Sequence, residues 1–206
     1  MVFPEYRRER NPIMHPLPAN LWGGDRRSIG RSNEVISRAL RNPSLFPILF
    51  SGLYSDNEIL RMRVADAMEK VTTQRPDLLS PFRAAMLRDV ARIAQQEVRW
   101  HLAQMLSRLR LTPHEGRTAV QSLRTFLQDR SSIVKTSSMQ ALADIARRDT
   151  GLRGEVIRQI QGLTRTGTPA MRAPGKKLLA GLRERQRPVQ PLGFTEPSTT
   201  KRASRQ

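Results

Sequence analysis

The chain has 206 residues with no cysteine, and its 36 Lys plus Arg against 18 Asp plus Glu give a net charge of +18. That length suits one sizeable core, and the missing thiols exclude disulfides, thiolate metal sites and a cysteine nucleophile. His15, His101 and His114 are too scattered for an HxxxH or HExxH zinc motif, so no metal and no cofactor is expected.

Residues 1–31 hold Pro4, Pro12, Pro16 and Pro18 with Gly23, Gly24 and Gly30, and they show no helical periodicity. They predict an irregular N-terminal segment, and "MVFPEYRRERNP" lacks the apolar stretch of a signal peptide. A short lone helix follows around Asn33 to Leu40. From there to residue 183 the apolar residues recur at steps of three and four with no period-2 strand, which predicts an all-α domain over 32–183. No apolar run is long enough to span a bilayer, so no membrane insertion is expected and the cytoplasm is the expected location.

Four stretches inside that domain align without internal gaps. They are Leu60 to Val71 "LRMRVADAMEKV", Val98 to Leu109 "VRWHLAQMLSRL", Val134 to Ile145 "VKTSSMQALADI" and Met171 to Leu182 "MRAPGKKLLAGL". Their starts lie 38, 36 and 37 residues apart. Each opens on an apolar residue followed by Arg61, Arg99, Lys135 or Arg172, and each carries a large apolar residue at its ninth place (Met68, Leu106, Leu142, Leu179) and another at its twelfth. A second amphipathic stretch precedes each one: "PSLFPILFSGLYS", "RPDLLSPFRAAMLRDVARI", "TPHEGRTAVQSLRTFLQD" and "GLRGEVIRQIQGL". Thr112-Pro113-His114-Glu115 has the form of a capping box. The unit is therefore an A helix, a turn and a B helix. Such pairs cover their apolar faces only by stacking, which predicts a right-handed α-solenoid of about four antiparallel pairs. Residues 184–206, broken by proline and polar residues, predict a disordered basic tail.

The B-helix pattern over about residues 43–182 resembles HEAT-like repeats, including the short type catalogued with phycobilisome-lyase HEAT repeats. The resemblance implies that B helices line a concave surface. It also implies that the B-helix arginine bonds an acidic residue in the turn of its own repeat. Asp56 before Arg61 and Asp129 before Lys135 fit that role, whereas Gln95 and Gln96 before Arg99 fit it less well. An arginine serving a partner instead is the alternative.

On the second B helix, Val98, Leu102, Met105, Leu106 and Leu109 share one face. Trp100, His101, Gln104 and Arg108 fall towards the other side, with Arg63 at the place equivalent to His101 in the first repeat. Trp100 is either an aromatic anchor on the concave surface or a tryptophan half buried against its neighbour. On the fourth B helix Pro174 falls beyond the first turn, where it removes a backbone donor. A kink or restart is expected near Ala173. It either turns Arg172, Lys176 and Lys177 outward as an anion-binding cluster or adapts a terminal cap. Replacing Pro174 and Gly175 together with alanine is expected to raise stability.

The expected partner-binding set is Arg63, Arg99, Trp100, His101, Gln104, Arg172, Lys176 and Lys177, and the expected function is a non-catalytic scaffold. Its partner is a protein first, with a nucleic acid or other polyanion as the second choice, held on a basic concave surface. The competing expectation is a DNA-binding or repair protein resembling HEAT-like alkylpurine DNA glycosylases, whose aspartate sits among tryptophans. Here Asp66 and Asp144 lie in other repeats than Trp100, and Trp22 lies in the N-terminal segment. No Gly-rich phosphate loop, serine elbow or persuasive carboxylate pair accompanies them.

Overall fold

The computed structural model describes Leu17, Asn20, Leu21 and residues 31–184, so most of the N-terminal segment and the tail from residue 185 lie outside the described residues. No strand occurs among the described residues. In chain order the helices are α1 (Ser32–Arg41), α2 (Phe46–Ser51), α3 (Glu58–Gln74), α4 (Arg83–Arg88), α5 (Gln96–Arg108), α6 (Pro113–Phe126), α7 (Ser132–Arg148), α8 (Thr150–Thr166) and α9 (Pro169–Glu184). The four aligned stretches fall on α3, α5, α7 and α9. They pack in series, α1 on α3, α3 on α5, α5 on α7 and α7 on α9.

The repeated apolar positions explain that series. Leu60, Val98, Val134 and Met171 open the four stretches, and all are buried. The ninth-place residues Met68, Leu106, Leu142 and Leu179 are buried as well, as are Val71, Leu109, Ile145 and Leu182 at the twelfth. They belong to one continuous core that runs from Leu17 to Leu182. Polar residues set the helix starts. Asn57 accepts from Leu60 N–H at 2.9 Å, and Asp149 accepts from Gly151 N–H at 3.0 Å. The capping box at α6 forms as the sequence predicts, with Thr112 and Glu115 exchanging bonds of 2.9 and 3.3 Å.

The A elements divide into two kinds. α6 and α8 are regular, whereas the first two are fragmented. α2 is flanked by 3-10 turns over Pro43–Leu45 and Gly52–Tyr54, and α4 by Pro76–Phe82 and Val90–Arg92. Prolines 43, 47, 76 and 81 cannot donate to an i−4 carbonyl, so the chain tightens into short 3-10 pieces there. An aromatic cluster holds these pieces together. Phe50 stacks on Phe82 with centroids 4.3 Å apart, and Phe46 meets Phe82 at 5.7 Å.

The expected restart in the fourth B helix is corrected. α9 is one helix from Pro169 to Glu184 with Pro174 inside it. Met171, Leu178, Leu179 and Leu182 are buried on both sides of the proline, and this shared face carries the helix through the missing donor. Gly175 also stands corrected. A β-carbon there would lie 2.1 Å from Thr164 Oγ1 and 3.1 Å from Met139 Cε. Glycine lets α9 approach both α8 and α7, so the double alanine replacement cannot be simply stabilising.

Candidate functional site

Two of the three arginines that follow the opening apolar position, Arg61 and Arg99, join one repeat to the next. Arg61 donates from Nη1 to the carbonyl of Ser55 (2.7 Å) in its own turn, and from Nε to Gln95 Oε1 (3.0 Å) in the following turn. Arg99 repeats the arrangement, with Nε on Ile93 O (3.2 Å) and Nη1 on Asp129 Oδ2 (2.7 Å). The expected partner in the arginine's own turn is thus a backbone carbonyl, and the side-chain partner belongs to the next repeat. Gln95, which the sequence ranked as a poor partner, is the link between the first two turns. It also donates to Glu58 O at 2.9 Å.

Asp129 suits its place. Burial pushes its carboxyl up, but the Ser131 N–H and the Arg99 guanidinium outweigh that and hold it below the usual carboxylate range. The guanidinium carbon of Arg99 also lies 5.5 Å from the centre of the Phe126 ring.

A second set of staples joins the far ends of the same helices. Arg108, at the end of α5, donates from Nη1 to Glu69 O (2.9 Å) and Thr72 Oγ1 (3.1 Å) near the end of α3, and it pairs with the Glu69 carboxylate. Arg148, at the end of α7, donates from Nη1 to Leu109 O at 3.1 Å and from Nη2 to Ser107 O at the end of α5. The Ser107 and Leu109 carbonyls lie at the end of α5, where helical donors run out, while Glu69 O also accepts from the Thr72 and Thr73 hydroxyls. Helix ends near carbonyls are also where cations are favoured.

Arg63 leaves the candidate set as an exposed contact. It is 3 % exposed and donates from Nη1 to Leu21 O at 2.6 Å, so it fastens the N-terminal segment to α3. His101 is also buried, at 8 % exposed, between α5 and α3. Its Nε2 lies 3.9 Å from Asp66 Oδ1, while its Nδ1 and the neighbouring Gln104 Oε1 have no hydrogen-bond partner. Burial holds the imidazole below its ordinary pKa, against the pull of the Asp66 and Glu69 carboxylates. Trp100 is half buried, packs against the core and tilts on the His101 ring at 5.2 Å. Each long helix packs against its series neighbours, which leaves only a narrow strip of α5 open. That is why Trp100, His101 and Gln104 are less exposed than a single amphipathic wheel suggests.

Carboxylates also stand on the helices that flank α5. Asp66 on α3 pairs with Lys70 at 2.8 Å and accepts from Ser32 Oγ at 3.5 Å. Asp144 on α7 pairs with Arg147 and accepts from Gln140 at 3.0 Å.

Exposed positive charge gathers on α9 instead. Arg172, Lys176, Lys177 and Arg183 are exposed there. Arg172 keeps the bond to its own turn, Nε to Gly167 O at 2.9 Å. Arg158 and Arg165 are exposed on α8. No Asp or Glu occurs from residue 156 to 183. Among the described residues every arginine–carboxylate or lysine–carboxylate pair lies upstream of that stretch. Sequence reasoning passed over Arg158, Arg165 and Arg183, although the acid-free run that frames them is legible without a structure. No protein-family model matches the chain, and neither the curated proteins nor the solved structures contain a significant match to it.

Proposed function

We propose that the chain is a non-catalytic scaffold of the HEAT-like type, a short cytoplasmic α-solenoid that binds a polyanionic partner at the α9 end of its helix series. One observation carries the binding part. α9 exposes Arg172, Lys176, Lys177 and Arg183 within the carboxylate-free stretch 156–183, whereas upstream cations such as Arg99 and Arg108 are engaged by carboxylates. The solenoid part is supported by the serial packing of the long helices and by staples that recur in register, Arg61 with Gln95 and Arg99 with Asp129.

A protein partner fits this face less well. Protein interfaces centre on aromatic or large apolar anchors, and between its cations the exposed face of α9 offers only Ala173 and Ala180. The repair-enzyme alternative needs a carboxylate free to act. Asp66 is engaged by Lys70 and Ser32, and Asp144 by Arg147 and Gln140.

The test is retention of the full chain on immobilised heparin and on polyphosphate across a salt series. Retention at low salt that is lost steeply as salt rises is the expected outcome. No retention on either polymer at low salt would remove the polyanion reading.

A further inference from the structure

We infer that the polyanion is a nucleic-acid duplex, gripped through its phosphates by a row of Arg172, Lys176 and Arg183 along one flank of α9, without reading base sequence. The inference rests on the polyanion reading above and narrows it to one ligand.

The row follows from helix geometry. At 100° per residue, Arg172, Lys176 and Arg183 fall within about 40° of one another around α9, while Lys177 lies about 100° further round. Along the axis the three cations stand about 6 Å and then about 10 Å apart at 1.5 Å per residue. The row of about 16 Å therefore runs beside several phosphates of one strand, which recur about every 3.4 Å of duplex axis. Cations strung out in this way suit a linear polyanion better than one compact phosphate, which needs convergent donors. The buried side of α9 fixes the row: Gly175 sits against Thr164 and Met139, so the helix has little room to roll.

The side chains that are missing from this face narrow the choice further. Single strands are held by bases stacked on aromatic rings, and residues 169–184 contain no aromatic residue. Bases in a duplex groove are read by Asn, Gln or paired arginine contacts at the groove edge. The same segment has no Asn or Gln. Arginine and lysine also read guanine edges, but a single row that follows one strand meets its phosphates, contacts that position a protein on a duplex and carry no sequence information.

The experiment is fluorescence anisotropy with a labelled mixed-sequence duplex of about 20 base pairs across a salt series, using the full chain. The variant Arg172→Gln/Lys176→Gln/Arg183→Gln is expected to bind at least about 10-fold more weakly at low salt, with the salt slope reduced by about 2 to 3. The control Arg92→Gln/Arg117→Gln/Arg130→Gln removes the same charge from exposed sites elsewhere, and it is expected to stay within about twofold of the parent. Circular dichroism checks that both variants fold. Equal losses in the two variants would overturn the row, because net charge alone would then explain binding. A strong preference between two unrelated duplex sequences would overturn the phosphate-only grip. Retention on heparin without duplex binding, or binding to polyglutamate in preference to duplex, would overturn the duplex while leaving the polyanion reading in place. Failure on heparin, polyphosphate and duplex together would remove both.

Discussion

In the first two repeats arginine joins elements, whereas in the last it faces outward. Arg61 and Arg99 each reach a side chain in the following turn, and Arg108 closes the end of the helix before it. Arg172 occupies the same place in its stretch and makes the same bond to its own turn, but among the described residues no further repeat follows it. The difference comes from position in the series rather than from residue type. A staple needs a neighbour, so the last helix pair keeps cations that the stack does not engage. The two ends also differ in how they are held. The fragmented pieces around α2 and α4 depend on phenylalanines, while α8 and α9 depend on close backbone approach at Gly175.

The sharpest way to separate the two ends is to remove a ring from the first. Phe46 is 1 % exposed and touches Phe82 in the aromatic cluster. Phe46→Ala is expected to cost about 3 to 5 kcal/mol, which in a chain of this size lowers Tm by about 10 °C. A thermal melt showing a shift of only a degree or two would mean that the short 3-10 pieces hold themselves. At the other end, Gly175→Ala is expected to cost about 2 kcal/mol, because Thr164 cannot swing freely away. It is β-branched, and its hydroxyl donates to Ile160 O at 2.7 Å. Pro174→Ala should raise Tm instead by restoring a donor inside α9. If both single changes moved Tm in the same direction, the close-approach account of Gly175 would fail.

Much of this division was legible in the sequence. The four aligned stretches land on α3, α5, α7 and α9, and Leu60, Met68 and Val71 are buried where the spacing puts them. The lone first helix and the Thr112 capping box also stand as expected. Periodicity read on one helix cannot say what its neighbours cover. His101 and Gln104 were therefore placed on an open face, although α3 packs across them. Arg63 looked like a surface cation because Leu21, whose carbonyl it meets, lies in a part of the sequence without periodicity. Gly175 looked like a helix weakness because propensity counts a missing side chain as a cost and is blind to the Thr164 and Met139 atoms that need the space. Register of the staples was half visible. The basic residue after each opening apolar position could be aligned, but its partner in the next turn varies between Gln95 and Asp129.

Two charge pairs test whether the staples matter more than ordinary surface pairs. Asp129 is 10 % exposed and Arg99 20 %, whereas Lys70 is 45 % exposed. Asp129→Ala removes the Arg99 bond and the bond from Ser131 N–H, so a loss of about 1 to 3 kcal/mol is expected. Lys70→Ala should change stability by less than about 0.5 kcal/mol. Urea unfolding of both variants measures the contrast, and equal midpoints would demote the turn staple to a surface pair.

The smallest expected effect is a pH dependence confined to the first half. His101 is buried between α5 and α3, and burial lowers its pKa, so the folded protein holds it neutral. The carboxylates facing it from α3 are Asp66 and Glu69, with Lys70 beside them. They soften the burial effect without reversing it. The unfolded chain takes up a proton at this position near the ordinary value of 6.5, before the folded chain does. Stability due to His101 is thus complete above about pH 6.5 and falls as pH drops towards the lowered folded value. The depressed carboxyls of Asp129 and Glu115 act in a separate window, below their ordinary values of 3.8 and 4.5. Thermal melts at pH 7.5 and 5.5 isolate the histidine, since those carboxyls are ionised at both. The parent is expected to lose Tm on going to pH 5.5, and His101→Gln, which keeps a polar group of similar length but cannot titrate there, should lose measurably less. An equal loss in the variant would mean that the imidazole is reached by water or paired well enough with Asp66 to accept its proton in the fold.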